Sequence, residues 1–247
     1  HFMIYFLVYI LSITSICFTQ YDPYNWYNHP ELEWQTIETE HFIITYHKET
    51  ERSARETATI AEFIYPFVTS LYDYYPKEKT DIIITDYDDT SNGAAHYYDN
   101  KIVVSGRPLG FYYLRGSHRW LQNVITHEFT HIIQVGASLK YSRHLPGTYF
   151  QLMSYAEERR EDVVYGFPNQ IISYPVPNAA NPLWFVEGTA QYMYDEAFFD
   201  YWDSTRDMIL RDEVVNDNVM SFDAMNTFGK KGFGNECVYN HGFSLVK

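Results

Sequence analysis

The chain has 247 residues, with 18 basic and 32 acidic side chains, a net charge of −14 and 19% aromatic residues. That length is enough for one or two domains with a full core. So acidic a chain argues against nucleic acid and anionic membrane as partners, and its two cysteines, Cys17 and Cys237, give neither a disulfide framework nor a cysteine metal site.

Residues Met3 to Phe18 are nearly all apolar. The run is short for a membrane span and of the right length for the core of an export signal. No Lys or Arg precedes Lys48, so the basic start of such a signal is missing, and Thr14-Ser15-Ile16 before Cys17 does not fit a lipidation site. The expectation is a signal peptide over residues 1–20, with the product in the periplasm, cell envelope or extracellular space. An uncleaved N-terminal anchor is the alternative, and the only membrane attachment expected. A single domain should then occupy residues 21–247.

Tyr21 to Glu33 reads as an irregular lead-in rich in Pro, Asn and aromatics. Trp34–Thr39 and His41–Tyr46 have the β-branched, partly alternating pattern of strands. Glu49–Tyr74 predicts a long helix that Pro66 should kink or divide. Asp81–Thr85 and Lys101–Ser105 predict strands, with a turn region over Asp86–Gly93 between them. Ser117–Val135 predicts a helix, with Ser117 as N-cap, Gly136 as its stop, and an apolar stripe through Trp120, Leu121, Val124, Ile125, Ile132 and Val135. Leu145–Tyr165 reads as one or two helices with a solvated charged face over Glu157–Asp162, and Gly166–Asn181, with its prolines, as a loop. Asn181–Tyr192 predicts another helix, with Asn181 as N-cap and Pro182 at its first position. Tyr239–Lys247 reads as the opening of a further amphipathic helix with no cap or polar tail, so a longer parent chain is expected.

The first of these two capped helices carries His127-Glu128-Phe129-Thr130-His131. Residues four apart project from one face of a helix, so His127 and His131 can share a metal ion with Glu128 beside it as a general base. The second carries Trp184-Phe185-Val186-Glu187-Gly188-Thr189-Ala190-Gln191-Tyr192, in which Glu187 can reach the same metal. Two neutral imidazoles and a carboxylate suit Zn²⁺ better than Mg²⁺ or Ca²⁺.

The two motifs together resemble those of the gluzincin metallopeptidases, over roughly residues 38 to 247. In that family the Glu of a W-x-x-E-G-x-A-x-Y pattern is the third zinc ligand. The separation from His131 to Glu187 is longer than in the thermolysin and aminopeptidase-N branches. It is more similar to the peptidase MA-like domains of bacterial cell-envelope proteins, where a TolB-like β-propeller often follows. The resemblance implies an α+β, zincin-like fold: a small twisted mixed sheet packed on an active-site helix, followed by a mainly helical subdomain. It implies one Zn²⁺ on His127, His131 and Glu187, and Glu128 as base in hydrolysis of a peptide or protein substrate. It also implies that Lys101–Ser105 is the edge strand above the cleft. Such sites carry an extra oxyanion donor, for which Tyr239 is the candidate and His241 the neighbour considered with it. Carboxylates should orient the histidines, with Asp195 and Glu196 as candidates. Gly188 is expected to allow close helix approach, and His96 to lie in a loop. The competing expectations are a zinc-binding envelope module that scaffolds without catalysis, and a zinc hydrolase of non-peptide amides.

Overall fold

The computed structural model describes residues 29, 31–87, 91–97, 99–108, 119–139, 148–154, 170–176, 181–192, 204–229 and 234–246. The expectations for residues 1–20, for the charged run 157–162, and for Asp195 and Glu196 lie outside them. The architecture is mixed α+β. Strands β1 (Trp34–Glu38), β2 (Phe42–His47), β3 (Thr80–Thr85), β4 (Gly93–His96) and β5 (Lys101–Ser105) form one sheet in the order β1-β2-β3-β5-β4. β2, β3 and β5 run parallel, and β1 and β4 are antiparallel edges. Helix α1 (Glu51–Tyr72) connects β2 to β3, as a parallel pair requires.

Period-two alternation puts Phe42 and Ile44, Ile82 and Ile84, and Ile102 and Val104 on one face of the sheet, all at 0% exposure. α1 covers it with an apolar stripe, Ala54, Ala58, Ala61, Ile64 and Val68. Helix α2 (Trp120–Ala137) adds Leu121, Val124, Ile125, Phe129, Ile132 and Ile133, completing one core. Phe129 meets Phe42 edge-on, with ring centroids 5.1 Å apart.

Several boundaries differ from those expected. α1 begins after a short 3₁₀ turn, Lys48–Thr50, and ends at Asp73 in the left-handed conformation. Pro66 lies inside it without dividing it; the Thr69 hydroxyl donates to the Tyr65 carbonyl at 2.7 Å on the next turn. α2 starts at Trp120, behind Arg119 rather than Ser117, and passes through Gly136 to Ala137. Gly136 is a packing position and not a stop: a Cβ there would stand 2.6 Å from the Tyr74 ring.

The stretch Leu145–Tyr165 is not helical where it is described. Thr148–Ser154 is strand β6, paired antiparallel with β7 (Gln170–Val176), which occupies the expected loop. Thr, Tyr, Phe and Ile are strand formers, and Pro175 is tolerated because a two-stranded sheet has only edges. Helices α3 (Leu183–Ala190), α4 (Ser204–Val215) and α5 (Gly234–Val246) follow, with a 3₁₀ turn at Ala224–Asn226 before α5. Among the described residues, the second half is therefore helical with a hairpin inserted, and α5 begins five residues before Tyr239. Among the described residues, no helix is long and apolar enough to cross a membrane.

Candidate metal centre

The apolar side of α2 is fixed in the core, which aims His127, Glu128 and His131 away from it. The start of the helix is tied to the sheet by Trp120, whose Nε1 donates to the Ser105 carbonyl at 2.8 Å. The buried Thr130 hydroxyl is satisfied within the helix, donating to the Thr126 carbonyl at 2.8 Å.

α3 brings Glu187 opposite. Its cap is not the expected one. Pro182 occupies the N-cap position without a side-chain bond. Asn226 Oδ1, from the 3₁₀ turn, instead accepts the Leu183 N–H at 3.2 Å. Asn181 reaches back to α2, donating from Nδ2 to the Ser138 hydroxyl at 2.8 Å. On its other side α3 meets α5 through two glycines: a Cβ on Gly188 would stand 2.8 Å from the Phe243 nitrogen, inside the Gly242 carbonyl.

His127, His131 and Glu187 converge as the sequence predicts. His131 Nε2 lies 3.0 Å from His127 Nε2, and Glu187 Oε2 lies 3.1 Å from His127 Nε2 and 3.4 Å from His131 Nε2. Ligands held at ~2.0–2.1 Å in a tetrahedron stand about 3.3 Å apart, so these three atoms fit one small ion. They are the group among the described residues that could hold a metal. Their side chains are 15%, 13% and 11% exposed, enough to leave an open side.

The charges are coupled. Burial opposes ionisation of Glu187, but His131 and then His127 outweigh it and hold its carboxyl well below the usual range. Burial likewise opposes charge on His131, yet Glu187 leaves its pKa raised. Glu128, 7% exposed, goes the other way: burial pushes its carboxyl up, against the pull of His127, His131 and the Ala95 backbone N–H.

These groups line a cleft of about 640 Å³, within the range of small-molecule and peptide sites. β4 forms one wall through Gly93, Ala94 and Ala95, and α5 another through Asn235, Glu236 and Tyr239. The strand above the cleft is therefore β4, which the sequence reading left partly as a turn. Lys101–Ser105 is interior, between β3 and β4. The correction follows from Gly93-Ala94-Ala95-His96, which has too little β-branched character to announce a strand. His96 belongs to β4, half-buried, and does not line the cleft. Tyr239 does line it, with its ring centroid 6.1 Å from that of His127. His241 is buried and not part of the lining.

Gln191 and Arg206 were not anticipated. Gln191 Nε2 stands 3.4 Å from His127 Nδ1, and Arg206, 5% exposed on α4, donates to Gln191 Oε1 at 2.9 Å. Gln191 is four residues past Glu187, on the same helical face, so spacing could have found it. Nothing local in the sequence marks Arg206.

No model of a known protein family matches this chain, and no curated protein matches it.

Proposed function

We propose that this chain is a zinc peptidase of gluzincin type. The observation that carries the reading is Glu128, buried beside a convergent His127, His131 and Glu187 group in an open cleft. The paired motifs and their resemblance to gluzincins supply the choice of zinc and of peptide bonds. When bound, zinc acidifies water and polarises a carbonyl.

The residues of the chain do the rest. Glu128 takes a proton from the attacking water and returns it to the leaving amine as the C–N bond breaks. Tyr239, on the cleft wall by His127, donates to the oxygen that gains charge in the transition state. β4 is the edge strand beside the cleft, and in this reading an extended substrate adds along its outer side, the role the sequence reading gave to β5. The apolar N-terminal run and the net charge of −14 favour an exported protein acting on peptides rather than nucleic acid.

The test uses purified protein, wild type and Glu128→Gln, assayed together for zinc content and for cleavage of an unstructured protein. One zinc in both, with cleavage in wild type only, is expected. One zinc with no cleavage in either would favour a scaffolding module; cleavage only of small non-peptide amides would favour the third reading. No zinc in a folded chain would remove the site altogether.

A further inference from the structure

The cleft that holds the metal group is mostly polar, with Asn92, Asn123, Gln191, Arg206, Asn235 and Glu236 around the ligands. Its buried apolar lining, Trp120 and Val124, is 9% and 7% exposed and already packed in the core. Phe228 differs: it lines the same cleft while 43% exposed. Single exposed aromatics are ordinary on a protein surface, but this one is not isolated. Its ring stacks on Tyr239 with centroids 5.5 Å apart and planes 27° from parallel. Tyr239 in turn sits 6.1 Å, ring to ring, from His127. The stack gives Phe228 a packed partner on one face, which lowers the cost of ordering it around an incoming side chain. Two ring contacts therefore link an exposed apolar face to a metal ligand.

We infer that Phe228, backed by Tyr239, is a specificity-determining subsite that takes a large apolar or aromatic side chain next to the bond being cut. This rests on the peptidase reading and narrows it to a substrate class. The ring contacts of 6.1 and 5.5 Å bound how far Phe228 stands from His127, a span on the scale of one extended residue, about 3.5 Å, plus a benzyl side chain. Covering the exposed ring removes apolar surface from water on both partners, and an offset stack adds to that. A small or charged side chain at that position gains neither.

The experiment uses the zinc-loaded full chain and two probes, phenylalanine hydroxamate and alanine hydroxamate, which bind metal through the same head group. Affinities are measured for wild type, Phe228→Ala and Phe228→Leu. Cleavage sites in a denatured protein are mapped by mass spectrometry for the same three. In wild type the benzyl probe should bind about tenfold or more tightly than the methyl probe. Cut sites should be enriched in Phe, Tyr, Trp or Leu at one flanking position. In Phe228→Ala both preferences should collapse, and in Phe228→Leu part of each should return. Equal affinities in wild type, or a ratio unchanged in Phe228→Ala, would overturn the subsite; cleavage without apolar enrichment would overturn it too, leaving the peptidase reading intact. Selective binding that is lost in Phe228→Ala, without cleavage, would sink the peptidase reading and overturn the cleavage subsite, leaving Phe228 only as a contact for apolar ligands. Failure of both probes to bind would overturn the two together.

Discussion

Gly93 and Glu128 share one small space. A Cβ placed on Gly93, the first residue of β4, would stand 2.9 Å from Glu128 Oε1 and overlap the Val124 side chain. Only a glycine lets the edge strand lie this close to α2. The Gly93→Ala variant should displace the Glu128 carboxyl while leaving His127, His131 and Glu187 in place. Metal content should stay at the wild-type level while cleavage falls about 10²-fold, the scale on which small misplacements cost activity. Loss of metal together with activity would show that Gly93 supports the whole site, not the base.

Gln191 Nε2 faces His127 Nδ1 at 3.4 Å, while its Oε1 accepts from Arg206. With His127 Nε2 toward the metal, Nδ1 carries the proton, so two donors meet there and the ring gains no hydrogen bond. Gln191→Ala should therefore change zinc affinity by less than about tenfold in a chelator competition. A loss of about 10–100-fold would show that the amide turns in the loaded site to accept from Nδ1.

Gly188 and Gly242 set the approach of α3 to α5, because each would drive a Cβ into the backbone of the other helix. Gly188→Ala should cost about 2–3 kcal/mol, at the upper end for overpacking a close contact. Denaturant unfolding should also report lower metal affinity, since the same helix carries Glu187. A neutral substitution would show that the helices separate freely.

Glu62 accepts hydrogen bonds from the backbone N–H of His41 at 2.8 Å and lies 2.7 Å from its Nδ1. Burial pushes its carboxyl up, but bonds from His41 and Thr39 prevail and leave it below its ordinary value of 4.5. A carboxylate with a depressed folded pKa adds stability above its unfolded pKa and loses it as pH falls through the folded value. Glu62→Gln should therefore cost roughly 1 kcal/mol near pH 7, with the cost shrinking below pH 4.5. A cost that is flat with pH would assign it to packing alone.

Cys237 is 2% exposed, and burial together with the Glu213 carboxylate pushes its thiol up to about 11. It should resist iodoacetamide at pH 8 in the native protein and react once denatured. Rapid native labelling would indicate local opening of α5.

The sequence by itself determined the elements of the site: two helices whose four-residue spacing puts His127 and His131 on one face, and a carboxylate on the second. It also determined the strands of the sheet core, because the β-branched, apolar runs in Phe42–His47 and Thr80–Thr85 are a local signal. Tertiary structure decided what depends on distant partners. β4 forms because Gly93–His96 pairs with Lys101–Val104, not because its residues favour strands. β6 and β7 form as a pair in a stretch read as helix and loop. The cap of α3 comes from Asn226, 43 residues downstream, and the Arg206 behind Gln191 from another helix. Spacing along a chain fixes which face a side chain takes. Which backbone edge or amide it then meets is set by long-range packing, and that is where β4, Gln191 and Phe228 acquire their places.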